Sequence, residues 1–399
     1  MSGALASVLV GSGLITAPLW QSLPSPTVER LLPASYRIPG AAPTLPWPAA
    51  GQSAVAIDGV GALGSAGSRA PVPIASVAKV MTAYVVLADH PLAAGQGGPT
   101  LRITSAQAEA ARQAAARGES VVKVTAGAVF TELQALQALM LPSANNMARV
   151  LAEWDGGSVA GFVARMNATA REIGLTATTY TDPSGYDPAT VSTAVDQVAL
   201  ARKAMAVPAF AAIVGLNRVS LPVAGTVANY NTLLGQDGVV GVKTGSTDQS
   251  GGCFLFAVRI VVGGSQLLIV GAVLGQPGTG TPAQLAAVFN ASRPLIRAAG
   301  AALVVHTAIH AGTVVAHVHG PLGTGTELRA AADVNVVGWA GMEVRVSSDI
   351  PPVPDRLPAG SEHGRLTATA GEAAPAGTAL RSGALLTPPG TWTRLTKRP

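Results

Sequence analysis

Three short polar elements stand far apart along the chain, each at the border of an apolar segment: Ser76-Val77-Ala78-Lys79, Ser143-Ala144-Asn145 and Lys243-Thr244-Gly245. Any one of them is common by chance, but their settings restrict what the chain can fold into. Val77 to Leu87 has helical apolar spacing around Val80, Met81, Tyr84 and Leu87, so Ser76 and Lys79 lie one turn apart on one helix face. Thr131-Glu132-Leu133-Gln134 is a capping-box pattern opening a helix through Met140, and Pro142 forbids its smooth continuation. Ser143 to Asn145 therefore falls on a break between helices, from which short polar side chains can reach a cleft. Leu234 to Val242 is β-like and leads straight into Lys243. If the three elements act together, a helix start, an interhelical break and a strand must converge.

A second Ser-x-x-Lys spacing, Ser120-Val121-Val122-Lys123, is β-patterned, so its serine and lysine do not share a helical turn. Ser53 to Ile57 reads as a first strand, closed by Asp58-Gly59. Two apolar strands, Cys253 to Val262 and Gln266 to Leu274, form a hairpin across Gly263-Gly264-Ser265, and Pro282 to Ala299 reads as an amphipathic helix. Lys243 is thus expected on a strand beside an antiparallel hairpin.

The chain has 399 residues, 48% of them hydrophobic and only 12% charged, enough for a sizeable core and two domains. Its formal charge of +5 comes from few, scattered groups, and no Lys/Arg cluster is interleaved with aromatics, which argues against a nucleic-acid partner. Cys253 is the only cysteine, so neither an internal disulfide nor a thiolate zinc site is possible. His306, His310, His317 and His319 share a valine-rich stretch with no carboxylate between them. That stretch reads as strand, and no metal site is expected there.

Four segments are expected. Residues 1–22 form an apolar leader, a signal peptide or membrane anchor, with Ala4 to Trp20 free of charge but no Lys or Arg ahead of it. Residues 23–50 carry Pro24, Pro26, Pro33, Pro39, Pro43, Pro46 and Pro48 and read as a linker. Residues 51–299 form the main domain. Residues 300–399, with runs such as Thr313 to Val318 and Met342 to Val346 broken by Gly, Pro and Asp, form a smaller β-rich domain.

An unassisted serine hydroxyl is a poor nucleophile, and Lys79 is the candidate base for Ser76. A free lysine holds its proton at neutral pH, so burial or a neighbouring cation must first lower its affinity for it. With its three motifs in this order, the chain from about residue 50 to 298 resembles the serine D-alanyl-D-alanine carboxypeptidases, the low-molecular-mass penicillin-binding proteins. Pro73 to Ala83 and the segment from Met166-Asn167 to Tyr180-Thr181-Asp182-Pro183-Ser184-Gly185 carry the same resemblance.

The resemblance implies an α+β fold: an antiparallel sheet flanked by helices, a helical subdomain, and an active site between them. It implies Ser76 as nucleophile, Lys79 as base with Lys243 lowering its proton affinity, and Ser143 as proton relay to the leaving amine. Asn145 would bond Lys79 and the substrate amide. Lys243 and Thr244 would grip the substrate carboxylate on a substrate-binding strand that includes Gly245, Ser246 and Thr247, and the amides of Ser76 and Ser246 would hold the oxyanion. Gly245 would let substrate and strand approach closely. The substrate would be peptidoglycan stem peptides ending in D-Ala-D-Ala, with β-lactams as covalent inhibitors and no cofactor, at the outer face of the plasma membrane or in the wall.

Two alternatives follow from the residues. A β-lactamase of the same fold would need a deacylating glutamate, and Glu172-Ile173-Gly174-Leu175-Thr176 nearly supplies one; but Gly161 to Ile173 reads as a helix with Phe162, Met166, Ala170 and Ile173 on one side, which makes Glu172 a last-turn surface carboxylate. A non-catalytic wall-binding or drug-sensing module would keep the pocket without turnover.

Overall fold

A computed structural model describes residues 23–396, so the expected leader lies outside the described residues. The chain divides into two compact units, one from Thr44 to Leu303 and one made of the segment ending at Pro43 together with the chain from Val304 onward.

The larger unit is built on a five-stranded antiparallel sheet. In chain order its strands are β1 (Gln52–Ile57), β2 (Gly61–Ala66), β3 (Val239–Thr247), β4 (Gly251–Val262) and β5 (Ser265–Gln276), and their spatial order is β3-β4-β5-β1-β2. Gly252 to Val258 is buried without a break. An alternating strand would show solvent at every second residue, so this run means that both faces of the sheet are covered. The helices of this unit are α1 (Lys79–Asp89), α2 (Ser105–Ala116), α3 (Glu132–Met140), α4 (Asn145–Gly156), α5 (Val159–Glu172), α6 (Ala194–Met205), α7 (Pro208–Val214) and α8 (Gly280–Ala301). α8 packs on β3, β4 and β5, and α6 packs on β5 and β1. α1 is the hub of the helical layer, touching α3, α4, α5, α6 and α7. Its Val80, Met81, Ala83, Val85, Val86 and Leu87 are all buried, as a helix apolar on most sides requires.

The expected elements around the three motifs form where the residues place them. Thr131 and Gln134 make a reciprocal capping box on α3, which ends at Met140, and Ser143 sits between α3 and α4. The 3₁₀ turn Ala75–Ala78 carries Ser76 into the start of α1. β4 and β5 form the expected hairpin, β4 beginning two residues earlier and β5 beginning one residue earlier and ending two later. Residues 120–124, read as β-patterned, belong to no strand. Instead the Asn146 side chain bridges Val122, accepting from its N–H at 3.1 Å and donating to its carbonyl at 3.0 Å, in the manner of a strand neighbour.

The smaller unit holds a seven-stranded sheet, and here the linker reading is corrected. Thr27–Arg30 pairs with Val314–His319 at one edge, and Ser35–Arg37 pairs with Glu343–Asp349 at the other. Proline excludes a central strand but not an edge strand, which uses only one row of backbone groups. Pro24, Pro26, Pro33 and Pro39 flank these strands rather than interrupt them. His317 and His319 share one face, with ring centroids 6.1 Å apart, and pair with Glu327 and Glu29 respectively. Among the described residues, no group of three or more His, Cys, Asp or Glu side chains could hold a metal ion, and no single helix is long and apolar enough to cross a membrane.

Candidate active site

Ser76, Ser143, Asn145, Thr244, Gly245, Ser246 and Thr247 line one cleft of about 410 Å³, and Lys79 and Lys243 lie buried beneath it. Ser76 is half-buried and lines the cleft. The turn that presents it depends on Ala75, which adopts φ +46, a left-handed conformation that typically costs about 1–3 kcal/mol in a residue with a side chain. Gly185 makes that turn possible from the other side: with φ +75, a Cβ there would come within 1.8 Å of the Ala75 carbonyl oxygen. Gly245 is also needed for its packing within the protein. A Cβ on it would lie 2.9 Å from the Ser76 nitrogen and 3.1 Å from that of Val77, so the missing side chain lets β3 lie against the backbone that carries Ser76.

Lys79 Nζ has three partners: Ser76 Oγ at 2.8 Å, Asn145 Oδ1 at 2.7 Å and the Ser184 carbonyl at 2.8 Å. These count out the chemistry of the amine. An uncharged –NH₂ has two protons and one lone pair; the two carbonyl oxygens can only accept, so they take both protons and the lone pair faces the Ser76 hydroxyl. Burial pushes the Lys79 amine down to about 7, against the opposing pull of the Asp182 and Glu119 carboxylates. Lys243 is buried as well and is held well below its ordinary value, first by burial and then by the Lys79 charge. Burial is the first cause for both amines, and the repulsion between them is mutual: a charge on either one disfavours a charge on the other. The one protein acceptor given to Lys243 Nζ is the Thr244 carbonyl, at 3.0 Å.

Ser143 is buried with φ +62 at the wall of the cleft, and its Oγ makes no hydrogen bond with any of the described residues. α8 fixes the far end of β3: Ser246 Oγ donates to Thr281 Oγ1 at 3.2 Å, and Gln284 Nε2 donates to the Thr247 carbonyl at 3.2 Å.

Several residues here had no recognised role in the sequence. Asp182 was noticed only as context, yet its carboxylate accepts from the Ser184 N–H and Oγ, the Gly185 and Tyr186 N–H groups and Thr190 Oγ1, which shapes the loop that presents the Ser184 carbonyl to Lys79. Ser120, from the rejected Ser-x-x-Lys pair, lines the cleft, and its carbonyl accepts from the Asn145 N–H at 2.7 Å; Lys123 is exposed. Glu119, Arg117, Tyr186 and Tyr230 also line the cleft. Glu172 is exposed at the end of α5 and is not among the lining residues, as its last-turn position implied.

This geometry has known counterparts. A family model described as D-alanyl-D-alanine carboxypeptidase matches residues 43–276, more than half of the chain. D-alanyl-D-alanine carboxypeptidase DacB2 of Mycobacterium tuberculosis is 32% identical over 228 residues, covering 55% of this chain and 73% of the relative. D-alanyl-D-alanine carboxypeptidase DacC of Escherichia coli is 34% identical over 188 residues, covering 44% of this chain and 45% of the relative, so the match spans about half of that protein. Among solved structures, the Streptomyces K15 DD-transpeptidase superposes with a TM-score of 0.53 at 27% identity, over 66% of this chain and 100% of its own. Penicillin binding protein 5 of Haemophilus influenzae does so with a TM-score of 0.59 at 19% identity, over 84% of this chain and 97% of its own, a likeness of fold. On the extent of the family match, the chain belongs to the D-alanyl-D-alanine carboxypeptidase family.

Proposed function

We propose that this protein is a serine D-alanyl-D-alanine carboxypeptidase that removes the terminal D-alanine of peptidoglycan stem peptides through an acyl-enzyme on Ser76. The observation that carries this reading is the 2.8 Å approach of a buried, proton-poor Lys79 amine to a Ser76 hydroxyl that is open to the cleft. Lys79 takes the Ser76 proton as the oxygen attacks the penultimate carbonyl. The Ser76 and Ser246 amides hold the oxyanion, supported by the close packing of Gly245 against the Ser76 nitrogen. Ser143, whose hydroxyl has no partner among the described residues, passes a proton to the departing D-alanine amine. Lys243 and Thr244 receive the terminal carboxylate: the buried Lys243 gains its counter-ion when substrate arrives, which restores the charged form that burial disfavours. Asn145 and Thr247 complete the substrate contacts, and water then releases the acyl group. Penicillins acylate the same oxygen.

The substrate belongs to the wall, so the enzyme works outside the plasma membrane, delivered or tethered there by the apolar stretch from Ala4 to Trp20. The likeness to a DD-transpeptidase favours a second activity in the same cleft, transfer of the acyl group to an amine rather than to water. Incubating the full chain with a peptide ending in D-Ala-D-Ala tests the main reading. D-alanine is expected from the wild type, with release from Ser76→Ala lower by about four orders of magnitude or more. Penicillin labelling without D-alanine release would support a sensor instead, and aminated product formed in preference to the hydrolysed acid would assign the transpeptidase.

A further inference from the structure

Glu119 is the one carboxylate that lines the cleft and touches a proposed site residue, and it is unlike a surface glutamate. Its side chain is almost fully buried. Its two oxygens divide their work: Oε1 accepts from Arg117 at 2.7 and 3.2 Å, and Oε2 accepts from Asn145 Nδ2 at 2.9 Å. The backbone around it is pinned, since the Glu119 N–H donates to the Ala114 carbonyl at the end of α2 and the next carbonyl, of Ser120, accepts from the Asn145 N–H.

An asparagine amide has two orientations of nearly equal shape and opposite chemistry. In the observed one, Oδ1 accepts from Lys79 and Nδ2 donates to Glu119. In the flipped one, Nδ2 would point at Lys79 and claim its lone pair, the same lone pair that must take the Ser76 proton. An ionised carboxylate is an acceptor only and cannot bond a flipped Asn145, whose oxygen would then face it. We infer that Glu119 is a positioning residue for acylation: by taking the Asn145 amide protons it keeps the Asn145 oxygen on Lys79 and reserves the Lys79 lone pair for Ser76. The inference rests on the reading of Lys79 as the base of Ser76.

Glu119→Gln is the informative change because it is nearly isosteric. Arg117 is donor-only and would hold the oxygen of the introduced amide, which turns that amide's nitrogen toward Asn145 and favours the flipped orientation. The charged groups facing Lys79 are Asp182 from the 182–186 loop, Glu119 from the segment after α2 and Lys243 from β3, with Arg117 behind Glu119. Removing the Glu119 charge therefore weakens the protonated form of Lys79.

With the full chain and a fluorescent penicillin, the plateau rate of acylation in Glu119→Gln is expected to fall about tenfold to a hundredfold, within what a general base contributes, and its acid limb to move to lower pH. A wild-type plateau in this variant would overturn the inference whether or not the limb moves, because loss of the Glu119 charge alone displaces the limb. If the wild type neither acylates nor releases D-alanine, the functional reading has failed, and NMR of the Asn145 side-chain amide decides separately: an Nδ2–H₂ group that changes its hydrogen-bond partner in Glu119→Gln supports the positioning contact, and one that keeps it refutes it. Should Glu119→Gln fail to fold, the double variant Arg117→Ala/Glu119→Ala strands no buried charge and carries the same expected and contrary outcomes.

Discussion

At the scale of single residues, the site is a problem of proton placement solved by burial. Lys79 and Lys243 are cationic at neutral pH in water, and the fold puts both under the cleft with too few partners to keep both charged. Asp182 and Glu119 temper this, so that Lys79 titrates at about 7 rather than lower. The sign for Asp182 follows: a carboxylate favours the charged amine, so its removal lowers the Lys79 midpoint and moves the acid limb of acylation to lower pH. Asp182→Asn also strips charge from five hydrogen bonds that shape the 182–190 loop. We expect a loss of about 3 kcal/mol in urea unfolding alongside the displaced limb. An unmoved limb would show that Asp182 acts on the loop alone. Lys79, Ser76 and Lys243 were legible in the sequence because side-chain chemistry at fixed spacing marks them. The Ser184 carbonyl, one of the three partners of Lys79, was not, because a backbone oxygen leaves no trace in residue type.

At the scale of elements, local signals were read well and long-range ones poorly. The capping box of α3, the break at Pro142 and the β4-β5 hairpin each follow from neighbouring residues, and the structure has them at those places. The 120–124 segment reads as β-patterned from its valines, but the Val122 N–H and carbonyl pair with the Asn146 side chain rather than with a strand. α3 also carries an unexpected cost. Glu132 opens it, is fully buried under the 92–99 loop, and has no hydrogen-bond partner among the described residues on either carboxylate oxygen; burial pushes it up to about 7, with the nearby Asp155 acting in the same direction. The folded protein thus binds more protons than the unfolded chain between about 4.5 and 7, and stability falls as pH rises across that window. Glu132→Gln removes the ionisation, so it should raise Tm clearly at pH 8 and little at pH 5. An equal gain at both pH values would mean that the charge is not what limits α3.

At the scale of the whole molecule, two units share one chain in an interleaved order, the smaller one taking strands from both sides of the larger. Pro-rich composition hid this, because the partners of Thr27–Arg30 and Ser35–Arg37 lie beyond residue 300. Deleting residues 23–43 from the full chain unpairs both edges of the seven-stranded sheet and should expose the smaller unit to proteolysis, while penicillin acylation stays within about twofold, since no residue of the cleft is removed. Loss of acylation would tie the two units together functionally. The sheet and helices of the larger unit bring Ser76, Ser143 and Asn145 to one cleft, with Lys79 and Lys243 buried beneath it. The most direct test is to follow Ser76 by peptide mass spectrometry after timed exposure to penicillin across pH 5 to 9, in the wild type and in Lys79→Arg. The account predicts a penicilloyl adduct on Ser76 whose rate of formation climbs through about pH 7 and is lost in Lys79→Arg. An adduct on another residue, or a Ser76 adduct that forms equally fast without Lys79, would contradict it.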